Sequence, residues 1–252
     1  MFMRLLQLRV KTQFLEAFRR FYEDTIIPAL QKTPGCQFAG LMQSHPHPDE
    51  CISLTFWDTQ SNAEAFDKSE TFQGLLQKAK PFLSESTEWK IQLSENFELE
   101  YKPVPEEPLL KEYVVAAQTE EAPPLSPQNA RIHVRIVSAK IQEDKLEEFK
   151  QLYSTEVIPA LQTTKGCSYA YLTENLQEEN EFISVTIWDS QEDAESYEKN
   201  GRFAELLDKT KHTFSQPYQW KLGLEQGFRG QVVTSEDLSV THYSLVTGKN
   251  LQ

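Results

Sequence analysis

Two short segments hold the side chains with the clearest chemical potential. CISLTFW ends at Trp57 and FISVTIW ends at Trp188, and each carries the same alternating polar face. Ser53 and Thr55 share that face with Trp57, and Ser184 and Thr186 share it with Trp188. An indole retained beside Ser and Thr in both copies suits the lining of a pocket. Three phenols occur only around the second segment: Tyr169, Tyr171 and Tyr197 stand where the first has Phe38, Gly40 and Phe66. A phenol donates or accepts a proton where Phe cannot. Arg135, like Arg4, interrupts an otherwise apolar strand, suited to an anionic substrate group or to a buried or rim ion pair. Tyr197 and Trp188 are therefore the candidate catalytic residues. Trp57, Ser53, Thr55, Phe66, Tyr169, Tyr171, Ser184, Thr186 and Arg135 are candidate substrate-binding residues, with the second segment as the expected centre. The competing reading treats the tryptophans as filling of a sheet interface and the tyrosines as wet side chains at a barrel rim.

Other chemistries find less support. Cys36 and Cys167 follow a helix-ending Gly and enter a strand, the setting of a small buried thiol. Cys51 has Phe182 as its counterpart, and three cysteines make no disulfide framework. His45-Pro-His47-Pro has the look of a metal tract, yet its counterpart from Leu176 to Glu179 has no His, so no metal site is expected. The chain has no Gly-rich phosphate loop, no Gly-x-Ser-x-Gly elbow and no zinc-type spacing, so nucleotide cofactors have no support.

The 252 residues carry 25 Lys plus Arg against 38 Asp plus Glu, a net charge of −13. That balance argues against nucleic acid as a partner and against docking on an anionic membrane. No apolar run approaches the ~18 residues that span a bilayer, and the amino-terminal stretch does not match a secretory signal. The expectation is a cytoplasmic protein with reduced thiols and an ordinary apolar core, hydrophobic residues being 39% of the total.

A tandem duplication organises the chain. YEDTIIPALQKTPGCQFAGL from Tyr22 matches YSTEVIPALQTTKGCSYAYL from Tyr153. Pro28 and Pro159, Gly35 and Gly166, Cys36 and Cys167, and Trp89 and Trp220 all lie 131 positions apart. Without a gap, 35 of the first 97 residues are identical to their partners at that offset. The expected divisions are a first repeat over 1–118 with an extra carboxy-terminal strand, a Pro- and Glu-rich linker over 119–130, and a second repeat over 131–252 with its own extra strand. The acidic excess falls in the connector and the second repeat: residues 1–97 hold 10 basic and 12 acidic side chains, and residues 131–228 hold 11 and 17.

Each repeat reads as β-α-β-β-α-β, the ferredoxin-like order. The first strand (2–10) leads into a helix over 12–32, disturbed by Pro28, which lacks an N–H. Pro34-Gly35 and Lys165-Gly166 end the helices. After the Trp-bearing strand, Thr59 and Ser190 are plausible N-caps, and TEWKIQL or YQWKLGL closes the unit. Leu109 to Ala116, and Val240 to Val246 at the same offset, read as strands reaching beyond their own sheet. Ile52, Leu54 and Phe56 are expected to pack on the helices, and the Ser-Thr-Trp face to be covered by the opposite sheet. In the second strand, Ala39 and Leu41 are expected on the helix side. The result would be an α+β fold whose two antiparallel sheets enclose a partly polar, aromatic barrel interior.

The IPAL segment followed by PGC or KGC, the strand ending in Trp-Asp and the Glu-Ala helix after it resemble the antibiotic biosynthesis monooxygenase family of the dimeric α+β barrel superfamily. The likeness covers nearly all of both repeats. It implies that two ferredoxin-like units associate through their sheets, here as a pseudo-dimer if the repeats pair within one chain; pairing between chains, as a homodimer, stays open. It implies oxidation of a small aromatic or polyketide-type molecule by dioxygen with no cofactor, the protein supplying orientation and polar stabilisation. Haem-degrading members add an Asn on the first strand and a His on the second helix. Here Gln7 and Ser138 occupy the first strands and no His precedes His212 on the helices after Trp-Asp, so haem ligation of that type is not expected. The alternative is a non-catalytic tandem barrel with a ligand-binding, structural or stress-related role. A pocket of a few hundred Å³ against Trp188, Tyr169 and Tyr197 would favour the enzyme, and a filled interior the alternative.

Overall fold

A computed structural model describes residues 1–84, 87–93, 99–105, 109–119, 132–176, 180–215 and 238–251. The first repeat runs β1 (Phe2–Arg9), α1 (Leu15–Phe21), a π turn (Tyr22–Ile26), α2 (Ile27–Gln31), β2 (Cys36–Ser44), β3 (Glu50–Trp57), α3 (Gln60–Asp67), α4 (Glu70–Ala79), β4 (Thr87–Leu93), β5 (Leu99–Pro105) and β6 (Leu109–Gln118). The second runs β7 (His133–Lys140), α5 (Leu146–Leu152), a π turn (Tyr153–Val157), α6 (Ile158–Gln162), β8 (Cys167–Asn175), β9 (Glu181–Trp188), α7 (Gln191–Lys199), α8 (Arg202–Thr210) and β10 (Leu238–Asn250). Pro28 and Pro159 open α2 and α6. Their missing N–H interrupts the i→i−4 ladder, and the preceding residues take up the break as the π turn. Thr59 and Ser190 cap α3 and α7 by accepting from the N–H of Asn62 and Asp193.

The eight strands β1-β3-β2-β10-β7-β9-β8-β6 close into one barrel. Within it β6-β1-β3-β2 is one ferredoxin-like sheet and β10-β7-β9-β8 the other. The extra strands do what the sequence suggests and more. β6 pairs with β1 of its own repeat and with β8 of the other, and β10 pairs with β7 and with β2. The expected closing strand TEWKIQL does form, as β4, but it pairs with β5 in a separate two-stranded sheet. The strand beside β1 is β6 instead. The register also corrects the offset. Phe2 faces Val114 while its repeat partner His133 faces Ser244, so these last strands correspond at 130 positions, not 131. The YQWKLGL segment and the linker, apart from Thr119, lie outside the described residues.

The faces of β3 and β9 are the reverse of the expectation. Ala39 pairs with Thr55 and Leu41 with Ser53, and directly opposed residues share a face. Since Ala39 and Leu41 do pack toward the helices, Ser53, Thr55 and Trp57 must point there too. Ile52, Leu54 and Phe56 instead enter the barrel with Met3, Leu5, Phe38 and Met42, meeting Ile183, Val185, Ile187 and Tyr171 from the other repeat. The interior is thus filled and mostly apolar rather than partly polar. Each repeat keeps a second core between its sheet and its own helices.

The turns before β2 and β8 depend on Gly35 and Gly166, at φ +80° and +79°. A Cβ on Gly166 would come within 2.5 Å of the Asp193 side chain, whereas one on Gly201, at φ +84°, would meet open space. Gly201→Ala should therefore cost about 1 kcal/mol from backbone strain alone. Gly166→Ala should cost about 2–3 kcal/mol, since the clash adds to the strain. Urea unfolding of the two variants measures the difference, and equal midpoints would refute the steric argument.

Candidate functional site

Both repeats leave a cavity between sheet and helices, at equivalent positions. In the second repeat it is bounded by Arg135, Tyr153, Ser184, Thr186, Tyr197 and Phe203 within an aliphatic and aromatic wall. In the first the same places hold Arg4, Tyr22, Ser53, Thr55, Phe66 and Phe72. Each cavity measures about 60 Å³, room for a few waters and less than the few hundred Å³ of an open ligand pocket.

The polar groups are arranged by local structure. The π turn brings Tyr22 and Tyr153 over the sheet, where their hydroxyls meet the serines. Tyr22 Oη lies 2.8 Å from Ser53 Oγ, and Tyr153 Oη lies 2.5 Å from Ser184 Oγ. Burial pushes both phenols well above their ordinary range. Thr55 and Thr186 accept from the indole N–H of Trp57 and Trp188 at 2.9 Å. The buried hydroxyls on the helix side of the sheet are thus partnered.

Besides aliphatic exchanges in the wall, such as Leu6 to Val137 and Leu8 to Ala139, three polar changes mark the second cavity and its surroundings. Tyr197 replaces Phe66, and burial pushes its phenol up to about 12, so it is neutral and available as a donor. Glu198 replaces Asp67. In the first repeat Arg4 Nη2 pairs with Asp67, whereas in the second Glu198 takes Arg135 Nε at 2.5 Å. Arg135 is 2% exposed, its Nη2 is buried without a hydrogen-bond partner, and its guanidinium lies 4.3 Å above the Phe203 ring. The third exchange is histidine. His133 stands where the first repeat has Phe2, and His242 where it has Glu112. His133 Nε2 is 2.9 Å from His242 Nδ1, and the His45 ring packs edge-on at 5.0 Å. His242 Nε2 in turn lies 3.4 Å from Glu198 Oε1.

Of the candidate residues, Ser53, Thr55 and Phe66 line the first cavity, and Ser184, Thr186, Tyr197 and Arg135 line the second. Trp57 and Trp188 are fully buried behind them, stacked on Phe66 and Tyr197 at 5.5 and 5.1 Å, with their N–H groups engaged. Tyr169 and Tyr171 belong to the barrel interior, where Tyr171 meets Phe56 of the other repeat at 5.3 Å. They do not meet Tyr197 in one site. Arg135 forms the buried ion pair of one sequence reading and also lines the second cavity. Cys36, Cys51 and Cys167 are free thiols that burial pushes up to about 12, poor nucleophiles. Tyr22 and Tyr153 were not among the candidates, although their retention just ahead of the paired prolines is a signal that could have found them. No helix among the described residues is long and apolar enough to cross a membrane.

Closed by strands shared between two ferredoxin-like repeats, with helices on the outside, the chain is a tandem α+β barrel. The sequence profile of the family described as antibiotic biosynthesis monooxygenase matches residues 1–78 and 132–209, again 131 apart, and the chain belongs to that family. No curated protein matches it significantly. Solved structures that it resembles include a candidate monooxygenase of Lactobacillus acidophilus at 10% identity and TM-score 0.66, over 99% of this chain and 96% of that one. Another from Fusobacterium nucleatum has 9% identity and TM-score 0.67 over 99% and 94%. An anthrone oxidase-like protein has 13% identity and TM-score 0.61 over 99% and 93%. At these identities the likeness is one of fold.

Burial, together with the neighbouring His242 and His45 imidazoles, lowers His133 to about 4 from the ordinary 6.5. Between those values the unfolded chain binds more protons than the folded one, so stability rises with pH there and is lost as pH falls from about 6.5 toward 4. His133→Phe, which installs the first repeat's residue, should flatten that slope in thermal melts taken from pH 7 to pH 4. A slope unchanged from that of the parent protein would refute the assignment.

Proposed function

We propose that this protein is a cofactor-independent monooxygenase-type enzyme whose working site is the sheet–helix cavity of the second repeat, and that its substrate is a small aromatic or polyketide-type molecule. The observation that carries this reading is the buried, unpartnered Arg135 Nη2 at a cavity that also holds the neutral phenol of Tyr197. Family membership supports an oxidation by dioxygen. A step that balances without a cofactor is the reaction of a substrate methylene with dioxygen to give a carbonyl and water. One oxygen atom enters the product, the other leaves as water, and the substrate supplies all the electrons. Among the described residues no carboxylate lines the cavity, and Tyr197, held near 12, is no base at neutral pH. The substrate must then be acidic enough to ionise readily, as a phenol or enol conjugated to the reacting carbon is. Arg135 and the Tyr197 hydroxyl would stabilise the resulting anion, and the apolar wall would hold the ring against Phe203.

The volume of about 60 Å³ favours a second reading, in which the tandem barrel binds a small ligand without turning it over. An aromatic substrate of two or three rings would have to push α7 and α8 outward on entry.

The test is a thermal-shift screen of hydroxylated aromatics of one to three rings, followed by oxygen uptake with each hit. The enzyme reading expects uptake matched by a product carrying a new carbonyl. Tyr197→Phe should then lower kcat by roughly 100-fold with KM little changed, while Phe66→Tyr in the first repeat should leave turnover unaltered. Binding without uptake would establish the second reading.

A further inference from the structure

Three of the chain's five histidines converge from distant parts of the sequence on the pair that orients Arg135. His45 follows β2, His133 opens β7 and His242 lies within β10, the strand seated between β2 and β7. His45 is itself anchored there, its Nε2 2.7 Å from Ser244 Oγ and its N–H donating to the His242 carbonyl at 3.0 Å. The contacts form a line: His45 against His133, His133 to His242, His242 to Glu198, Glu198 to Arg135. Nothing in the oxidation described above uses the first four members of that line.

We propose that His242 is a positioning residue for Arg135: by taking up a proton it draws on the Glu198 carboxylate that Arg135 shares, and so makes the second cavity a stronger binder of anions in acid than in base. This rests on the reading of that cavity as the ligand site.

The protons can be followed. With His242 neutral, its Nε2–H faces Glu198 and its Nδ1 accepts from His133 Nε2–H. Arg135 and Glu198 then cancel, and the guanidinium offers the cavity a donor with little net charge. When the cluster gains a proton, His242 carries hydrogen on both nitrogens. The Nε2 proton of His133 passes to His242 Nδ1, and the new proton settles on His133 Nδ1, which is buried and without a partner. His133 itself stays neutral, because burial and the flanking imidazoles disfavour its charge. Glu198 now faces two cations, and the Arg135–Glu198–His242 group has gone from neutral to +1. Against the penalty of its own burial, Glu198 is held down to about 2 by His242 and Arg135, so it stays ionised throughout. Among the described residues, the other charged groups acting on the cluster are Lys199, which acts on Glu198, and Glu195, one turn before Glu198 on α7, which acts on both His133 and His242. Glu195 is paired with Lys199 at 2.7 Å and does not line the cavity.

The coupling can be read without any ligand. The Arg135 Nε–H proton, identified in NMR spectra by its loss in Arg135→Lys, should move as the pH is lowered from 7.5 to 5.5. In His242→Gln, which can still donate to Glu198 but cannot charge, it should stay still; His242→Asn replaces that variant if the Gln protein does not fold. His45→Asn, at the exposed end of the line, should keep the titration. A motionless signal in the parent protein, or an unchanged titration in His242→Gln, overturns the proposal. Benzoate and its neutral relative benzyl alcohol then separate this inference from the cavity reading. Benzoate should bind the parent protein roughly three- to tenfold more tightly at pH 5.5 than at pH 7.5, His242→Gln should lose that difference, and benzyl alcohol should show none. Benzoate binding with no pH dependence overturns the proposal. An Arg135 signal that titrates as expected, with no benzoate bound at any pH, overturns the cavity reading and leaves the coupling standing.

Discussion

The pairing of β6 and β10 with both repeats is the constraint on which the rest of the structure depends. Each of these strands gives one backbone edge to its own sheet and the other to the opposite sheet. Without them both four-stranded sheets would lack an edge strand and would expose rows of unpaired N–H and C=O groups. Two equivalent bulges, at Ala116 and Val246, interrupt the pairing of these strands with the opposite sheet. Such bulges increase local twist, which is what a strand needs when it leaves one sheet for another. The duplication therefore behaves as one cooperative barrel rather than as two beads on a string.

Closure also decides where a ligand can go. Sheets brought face to face fill the space between them, here with Met, Leu, Ile, Val and Phe from both repeats. Small hydroxyls could not have filled it, and an unpartnered hydroxyl there would be costly. They are turned to the other side, where the helical layer offers Tyr22 and Tyr153 as partners. The polar constellation and the residual space thus arise together, between each sheet and its helices. Two cavities per chain follow from the duplication, and the chemistry of each can change without disturbing the shared interior.

Much of the fold was legible. The repeat, the element order apart from β5, the capping residues and the bridging strands could be read because they rest on local spacing and on comparison of one half with the other. The reading failed where pairing decides. In β3, alternation shows that Ile52, Leu54 and Phe56 share a face, but which face is inward follows only from the register with Ala39 and Leu41. The same gap put β4 in the sheet in place of β6: both segments have strand composition, and composition does not name a neighbour. At the second cavity, Ser184 and Thr186 were grouped by strand alternation, Arg135 because it interrupts an apolar strand, and Tyr197 because comparison of the halves sets it against Phe66. Tyr169 and Tyr171 were misgrouped with them for want of the register.

The histidine line could not have been read at all, since residues 45, 133 and 242 share no local pattern, and its absence from the first repeat removes the comparison that served elsewhere. That asymmetry carries the argument about function further than the conserved positions do. Positions identical in both halves, such as the Thr–Trp pairs, are explained by packing and hydrogen bonding that both halves need. Arg4 and Arg135 are likewise identical, yet the polar groups around them differ. Asp67 becomes Glu198, Phe66 becomes Tyr197 and Phe2 becomes His133, and each exchange adds a longer or polar group near the same guanidinium. Packing alone would be indifferent to which half held them. Their concentration around one of two equivalent cavities is what a single working site, set apart from a copy kept for structure, would produce.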